Sequence, residues 1–108
     1  MIHTENLSEL GHCDAHFSNH LIDPSLPLEK SWLTVQIYLC ADGLEGGATT
    51  FYGRTNEDRE TRIDVVARVG RVLVFQQRGL LHAGEKVSKG MKVTVRTDVM
   101  YRKVEVEM

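Results

Sequence analysis

Residues 32–40 alternate without a break. Leu33, Val35, Ile37 and Leu39 fall on one side of an extended chain, and Trp32, Thr34, Gln36 and Tyr38 fall on the other. The same division recurs near the C-terminus, where Val93, Val95 and Val99 oppose Lys92, Thr94, Arg96 and Asp98. No stretch keeps a 3.6-residue period over three turns, while runs rich in Val, Ile, Thr and aromatics recur between glycines, so the pattern predicts an all-β domain. Strands are expected at residues 32–40, 48–52, 62–69, 71–77 and 91–107. Turns are expected at Asp42-Gly43, Gly46-Gly47, Gly70, Gly79 and Gly90, with a charged loop at 54–60 and a proline-bounded loop at 23–27. A polar strand face usually meets solvent. Here two such faces could instead line a cavity, because the best candidate ligands lie between them in the chain.

With 108 residues the chain is expected to be one domain. Its 42% hydrophobic and 26% charged residues argue against disorder. A net charge of -2 gives no electrostatic case for nucleic acid or an anionic membrane as partner. Apolar runs such as residues 72–75 are too short to span a bilayer, and residues 1–10 are too polar for a signal peptide, so a cytoplasmic setting is the expectation. Cys13 and Cys40 form no C-x-x-C pair and read as two buried thiols.

Residues i and i+2 of an extended segment point the same way, roughly 6 to 7 Å apart. His12 and Asp14 can therefore converge on one ion, with Cys13 turned away. A lone H-x-D is common by chance, and a third ligand must come from elsewhere. His82 lies in the apolar stretch Gly79-Leu80-Leu81-His82-Ala83-Gly84, where a hydrogen-bonded core histidine is the bland alternative. Two imidazoles and one carboxylate would make a facial triad that leaves half of an octahedral ion open. Lys92 follows a turn at Lys89-Gly90, so it and His82 could occupy neighbouring antiparallel strands around one pocket, its ammonium facing an anionic ligand. Taken alone, Lys92 reads equally as a solvated lysine on an edge strand. Asp14-x-His16 is a competing pair, Arg96 shares the face of Lys92 and could assist or replace it, and His3 and His20 read as surface residues.

Several motifs occur in one order: His12-x-Asp14, Thr34-Val35-Gln36-Ile37-Tyr38-Leu39, Glu45-Gly46-Gly47-Ala48-Thr49-Thr50-Phe51, Val69-Gly70-Arg71-Val72-Leu73-Val74-Phe75, then His82-Ala83-Gly84 through Val87, Gly90 and Lys92. Over residues 11–102 the chain resembles the C-terminal part of a prolyl 4-hydroxylase-type Fe(II)- and 2-oxoglutarate-dependent dioxygenase. The resemblance implies a double-stranded β-helix, or jelly-roll, with iron at its mouth. It implies Fe(II) on His12, Asp14 and His82, the C5 carboxylate of 2-oxoglutarate on Lys92, and help from the Tyr38 hydroxyl. Thr34 and Thr94 face the same cavity by parity and are weaker candidates for the co-substrate. It also implies hydroxylation of a prolyl residue in a peptide or protein substrate, with succinate and CO2 as co-products and ascorbate as reductant.

Members of that family carry helices and at least one further strand ahead of the H-x-D motif, whereas eleven residues precede His12 here. The expectation is a domain lacking most of that helical part. By parity, Leu33, Val35, Ile37 and Leu39 with Val93 and Val95 form the apolar face those helices would cover, which favours self-association. The alternative functions are a truncated, non-catalytic jelly-roll that binds metal or a partner protein, and a cupin-like zinc or manganese protein with a different ligand set.

Overall fold

The computed structural model describes residues 2–4, 11–53, 57 and 60–105, with backbone alone for residues 2–4. The described strands are β1 (Ile2–Thr4), β2 (Glu29–Cys40), β3 (Glu45–Gly46), β4 (Thr49–Tyr52), β5 (Arg62–Val65), β6 (Val72–Gln76), β7 (His82–Gly84), β8 (Val87–Lys89) and β9 (Val93–Arg102). Among the described residues the only helical element is a single 3-10 turn, Asn19–Leu21. The domain is all-β, and every strand pairing is antiparallel.

Three sheets result, ordered β1-β9-β2-β6, β5-β4-β7 and β3-β8. The alternating segment β2 is central to the largest sheet, which is why both of its faces carry information. Across it, Thr34 pairs with Phe75 and Asp98, Gln36 with Leu73 and Arg96, and Tyr38 with Thr94, so these residues share one face. That face meets the three-stranded sheet. Tyr38 Oη bonds Thr49 Oγ1 at 2.6 Å, and the Phe51 and Phe75 rings meet edge to face at 5.1 Å.

The space between the sheets is unusually polar. Tyr38, Ala67, Phe75, Ala83 and Val87 are its buried apolar residues, against Asp14, Ser31, Thr34, Thr49, Thr50, Gln77, His82, Lys92 and Thr94. Folding alone would place apolar side chains on the inner faces of a β-sandwich. Burying so many polar groups costs free energy that hydrogen bonding among them must offset. The opposite face of the large sheet carries Val72, Val74 and Leu39, exposed by 50%, 59% and 48%.

Several expectations need correction. The strand expected at 32–40 begins at Glu29, that expected at 62–69 stops at Val65, and that expected at 91–107 runs from Val93 to Arg102. Trp32 does not share the face of Thr34. A bulge between Ser31 and Leu33 makes Trp32 the extra residue, so Ser31 turns inward and Trp32 is 46% exposed beneath the Arg78 guanidinium. His82 and Lys92 are not on paired neighbours: β7 pairs with β4, and Lys92 lies just ahead of β9, which pairs with β1 and β2. Cys13 is exposed and Cys40 half-buried, both as free thiols, so neither is the fully buried thiol expected. The charged loop at 54–60 lies outside the described residues apart from Glu57 and Glu60, as do residue 1, residues 5–10, residues 106–108 and the His3 side chain. No helix among the described residues is long and apolar enough to cross a membrane.

Candidate metal centre

His12 and His82 are brought together by backbone. They form an isolated antiparallel bridge, His12 N–H donating to His82 O at 2.8 Å and His82 N–H to His12 O at 2.9 Å. This pair docks the segment carrying Asp14 onto the edge of β7, and His82 itself lies opposite Phe51 on β4. Extended geometry then turns Asp14, two residues after His12, toward the same point.

One ligand atom from each of His12, Asp14 and His82 lies within 4.8 Å of the others. The Nε2 atoms of His12 and His82 are each 3.4 Å from Asp14 Oδ1. That oxygen is buried and accepts no hydrogen bond among the described residues. An orphaned buried carboxylate oxygen is expensive to maintain. Cis ligands at about 2.1 Å from a common ion stand about 3 Å apart, so a cation shared by the three atoms would satisfy Oδ1 with small adjustment. The His82 ring agrees: its Nδ1 is 3.2 Å from the Leu80 carbonyl, which can only accept, so Nδ1 carries a proton and Nε2, the ring atom beside Asp14 Oδ1, is the one that could ligate an ion. The three residues could therefore hold a metal ion.

The other carboxylate oxygen is held by protein. Thr34 donates its hydroxyl to Asp14 Oδ2 at 2.7 Å, and the Arg96 guanidinium stands 3.3 Å away. Burial alone would push the Asp14 carboxyl up, but the His82 contact, the Thr34 hydrogen bond and the Arg96 charge together hold it at about 2, below the ordinary 3.8. Asp14 is thus a carboxylate, ready to ligate, over the whole neutral range. The His82 ring is 4.9 Å from Phe75 and 5.7 Å from Phe51, apolar neighbours that screen that side from water.

Lys92, just ahead of β9, is 1% exposed, and Tyr38, Thr49 and Thr94 are also buried. Its aliphatic stem runs past Gly47, where a Cβ would come within 3.3 Å of Lys92 Cδ. The edge-strand alternative for Lys92 is therefore excluded by burial. Arg96, on the face of β9 that meets the second sheet, pairs with Asp14 and approaches Asp98 at 3.9 Å. His16 is exposed and stands outside the group of three, and His20 bonds the Leu26 carbonyl at 2.8 Å.

Sequence reasoning missed Thr49, whose hydroxyl ties Tyr38 and, at 3.4 Å, Gln36 to the second sheet. It also missed Gln77, which continues the inward parity of Leu73 and Phe75 and is fully buried. A polar residue at an inward strand position was the available signal. No protein-family model and no curated protein matches the chain in sequence.

Proposed function

We propose that the chain is the jelly-roll core of an Fe(II)- and 2-oxoglutarate-dependent dioxygenase that hydroxylates a prolyl residue of a peptide or protein. The observation that carries this reading is the His12, Asp14 and His82 cluster around a carboxylate oxygen that accepts no hydrogen bond among the described residues, in a domain that also buries Lys92. Two histidines and one carboxylate are the donor set of non-haem iron oxygenases that keep open coordination positions. When bound, iron with 2-oxoglutarate supplies oxidative decarboxylation of the 2-oxo acid coupled to hydroxylation of a C–H bond. The chain's own part is to bind, orient and exclude water.

In this reading His12, Asp14 and His82 hold the ion, and Thr34 and Arg96 keep the aspartate ionised and oriented. Lys92 receives the C5 carboxylate of 2-oxoglutarate, a charge-assisted contact strengthened by low local dielectric. Tyr38, set by Thr49, and Thr94, its cross-strand partner, add hydroxyls to that end of the pocket. Thr34 is committed to Asp14, so it supports the metal more directly than the co-substrate. Ascorbate serves as reductant.

Succinate release from 2-oxoglutarate in the presence of Fe(II) and ascorbate tests the reading against His82→Ala. Turnover in the native chain and its loss in the variant is the expected result, and equal turnover in both would refute it. A metal-binding module without turnover is a second reading, supported by the exposed apolar face at Leu39, Val72 and Val74, which suits a protein partner. Metal uptake without 2-oxoglutarate-dependent oxygen consumption would favour it.

A further inference from the structure

Behind Asp14 lies a buried hydrogen-bond chain of fixed polarity. The Phe17 N–H donates to Ser31 Oγ at 2.6 Å, and the Ser31 hydroxyl donates to Gln77 Oε1 at 2.7 Å. The Gln77 amide nitrogen then faces Asp98 Oδ1 at 3.0 Å, Thr34 Oγ1 at 3.2 Å and the Leu33 carbonyl at 3.3 Å. A carboxylate and a carbonyl only accept, so the amide cannot be turned the other way. The amide has two protons for these three acceptors, so they are shared; the N–H directed at Thr34 Oγ1 leaves the one Thr34 proton for Asp14 Oδ2, which as a carboxylate only accepts. Ser31, Thr34 and Gln77 are all fully buried, so bulk water does not compete for these bonds.

The same serine also holds the backbone near the ligands, because its N–H donates to Phe17 O at 2.8 Å. The relay therefore joins the segment just beyond Asp14, through Gln77, to the carboxylate itself. Its effect is to direct Oδ2 into the protein and leave Oδ1 for His12 and His82. We propose that Gln77 is a positioning residue of the metal centre, acting through Thr34, an inference that rests on the metal-binding reading above.

The test measures Mn(II) affinity by calorimetry and the visible spectrum of the Co(II) form, with thermal unfolding of the metal-free chain as control. Gln77→Glu keeps the shape but replaces the donors by an acceptor, so Thr34 gains a competing target for its proton. Expected is a Kd raised roughly 10- to 100-fold, with an altered Co(II) spectrum. Gln77→Met removes the donors without placing a second carboxylate beside Asp98 and reads the same loss where charge repulsion disturbs folding. Thr34→Val should weaken Mn(II) comparably, and adding Gln77→Glu to it should cost nothing further, because residues acting in series are not additive. Native affinity in folded Gln77→Glu and Gln77→Met, or losses that multiply in the double variant, would overturn the relay while leaving the metal site standing. A native chain that takes up no Mn(II) would overturn the metal reading itself and the relay with it.

Discussion

Thr34 donates its hydroxyl to one oxygen of Asp14 at 2.7 Å, while the other oxygen, 3.4 Å from two histidine nitrogens, accepts no hydrogen bond among the described residues. The two oxygens of a single carboxylate thus have different tasks. One anchors the side chain to β2, and the other faces the two histidines, where it could ligate a cation.

Asp14→Asn should abolish high-affinity metal uptake, since it removes the charge that two neutral imidazoles cannot replace. The loss of Mn(II) affinity, read by calorimetry, should exceed the roughly 10- to 100-fold cost of losing an outer-shell partner. His82→Ala should do the same. His16→Ala should leave affinity unchanged, because that residue stands outside the cluster.

Acid should remove the stability that ionised Asp14 contributes to the metal-free chain. Its carboxyl is held at about 2 against an ordinary 3.8, so its contribution is complete above pH ~4 and fades as the pH falls toward 2. A depression of that size corresponds to about 2 kcal/mol at neutral pH. Urea unfolding in a chelator should show the gap between native chain and Asp14→Asn narrowing by about that amount between roughly pH 5 and pH 2. A constant gap would mean that Asp14 is not preferentially stabilised as the carboxylate.

Lys92→Met keeps the buried stem and removes the ammonium. Metal affinity should be unchanged, while the KM for 2-oxoglutarate should rise roughly 10- to 100-fold, the worth of a hydrogen bond to a charged group. Kinetics at varied 2-oxoglutarate reads the first effect and Mn(II) calorimetry the second. An unaltered KM would remove Lys92 from the co-substrate site.

Gly47→Ala should damage stability and site together. The glycine has φ of +74°, and an added Cβ would stand 3.1 Å from Val87 Cγ2 and 3.3 Å from Lys92 Cδ. The backbone conformation alone should cost about 1 kcal/mol or more, visible as a lower urea midpoint. Displacement of Lys92 should raise the 2-oxoglutarate KM in the same variant.

The alternation of residues 32–40 and 92–98 was enough to establish the all-β class and to predict which residues line the interior. Side-chain direction in a strand follows from the two-residue repeat alone, so Thr34, Tyr38, Lys92 and Thr94 were legible as inward residues. His12 and Asp14 were legible as a pair for the same reason. Parity fails where a bulge inserts a residue, which hid Ser31 and misplaced Trp32. Sequence also carries no information on which distant segments meet. The reciprocal bridge between His12 and His82, the pairing of Arg96 with Asp14, and the bonds from Gln77 to Thr34 and Ser31 each join residues far apart in the chain. Only the packing of two sheets decides those contacts, because it is there that buried polar groups, cut off from water, must find one another.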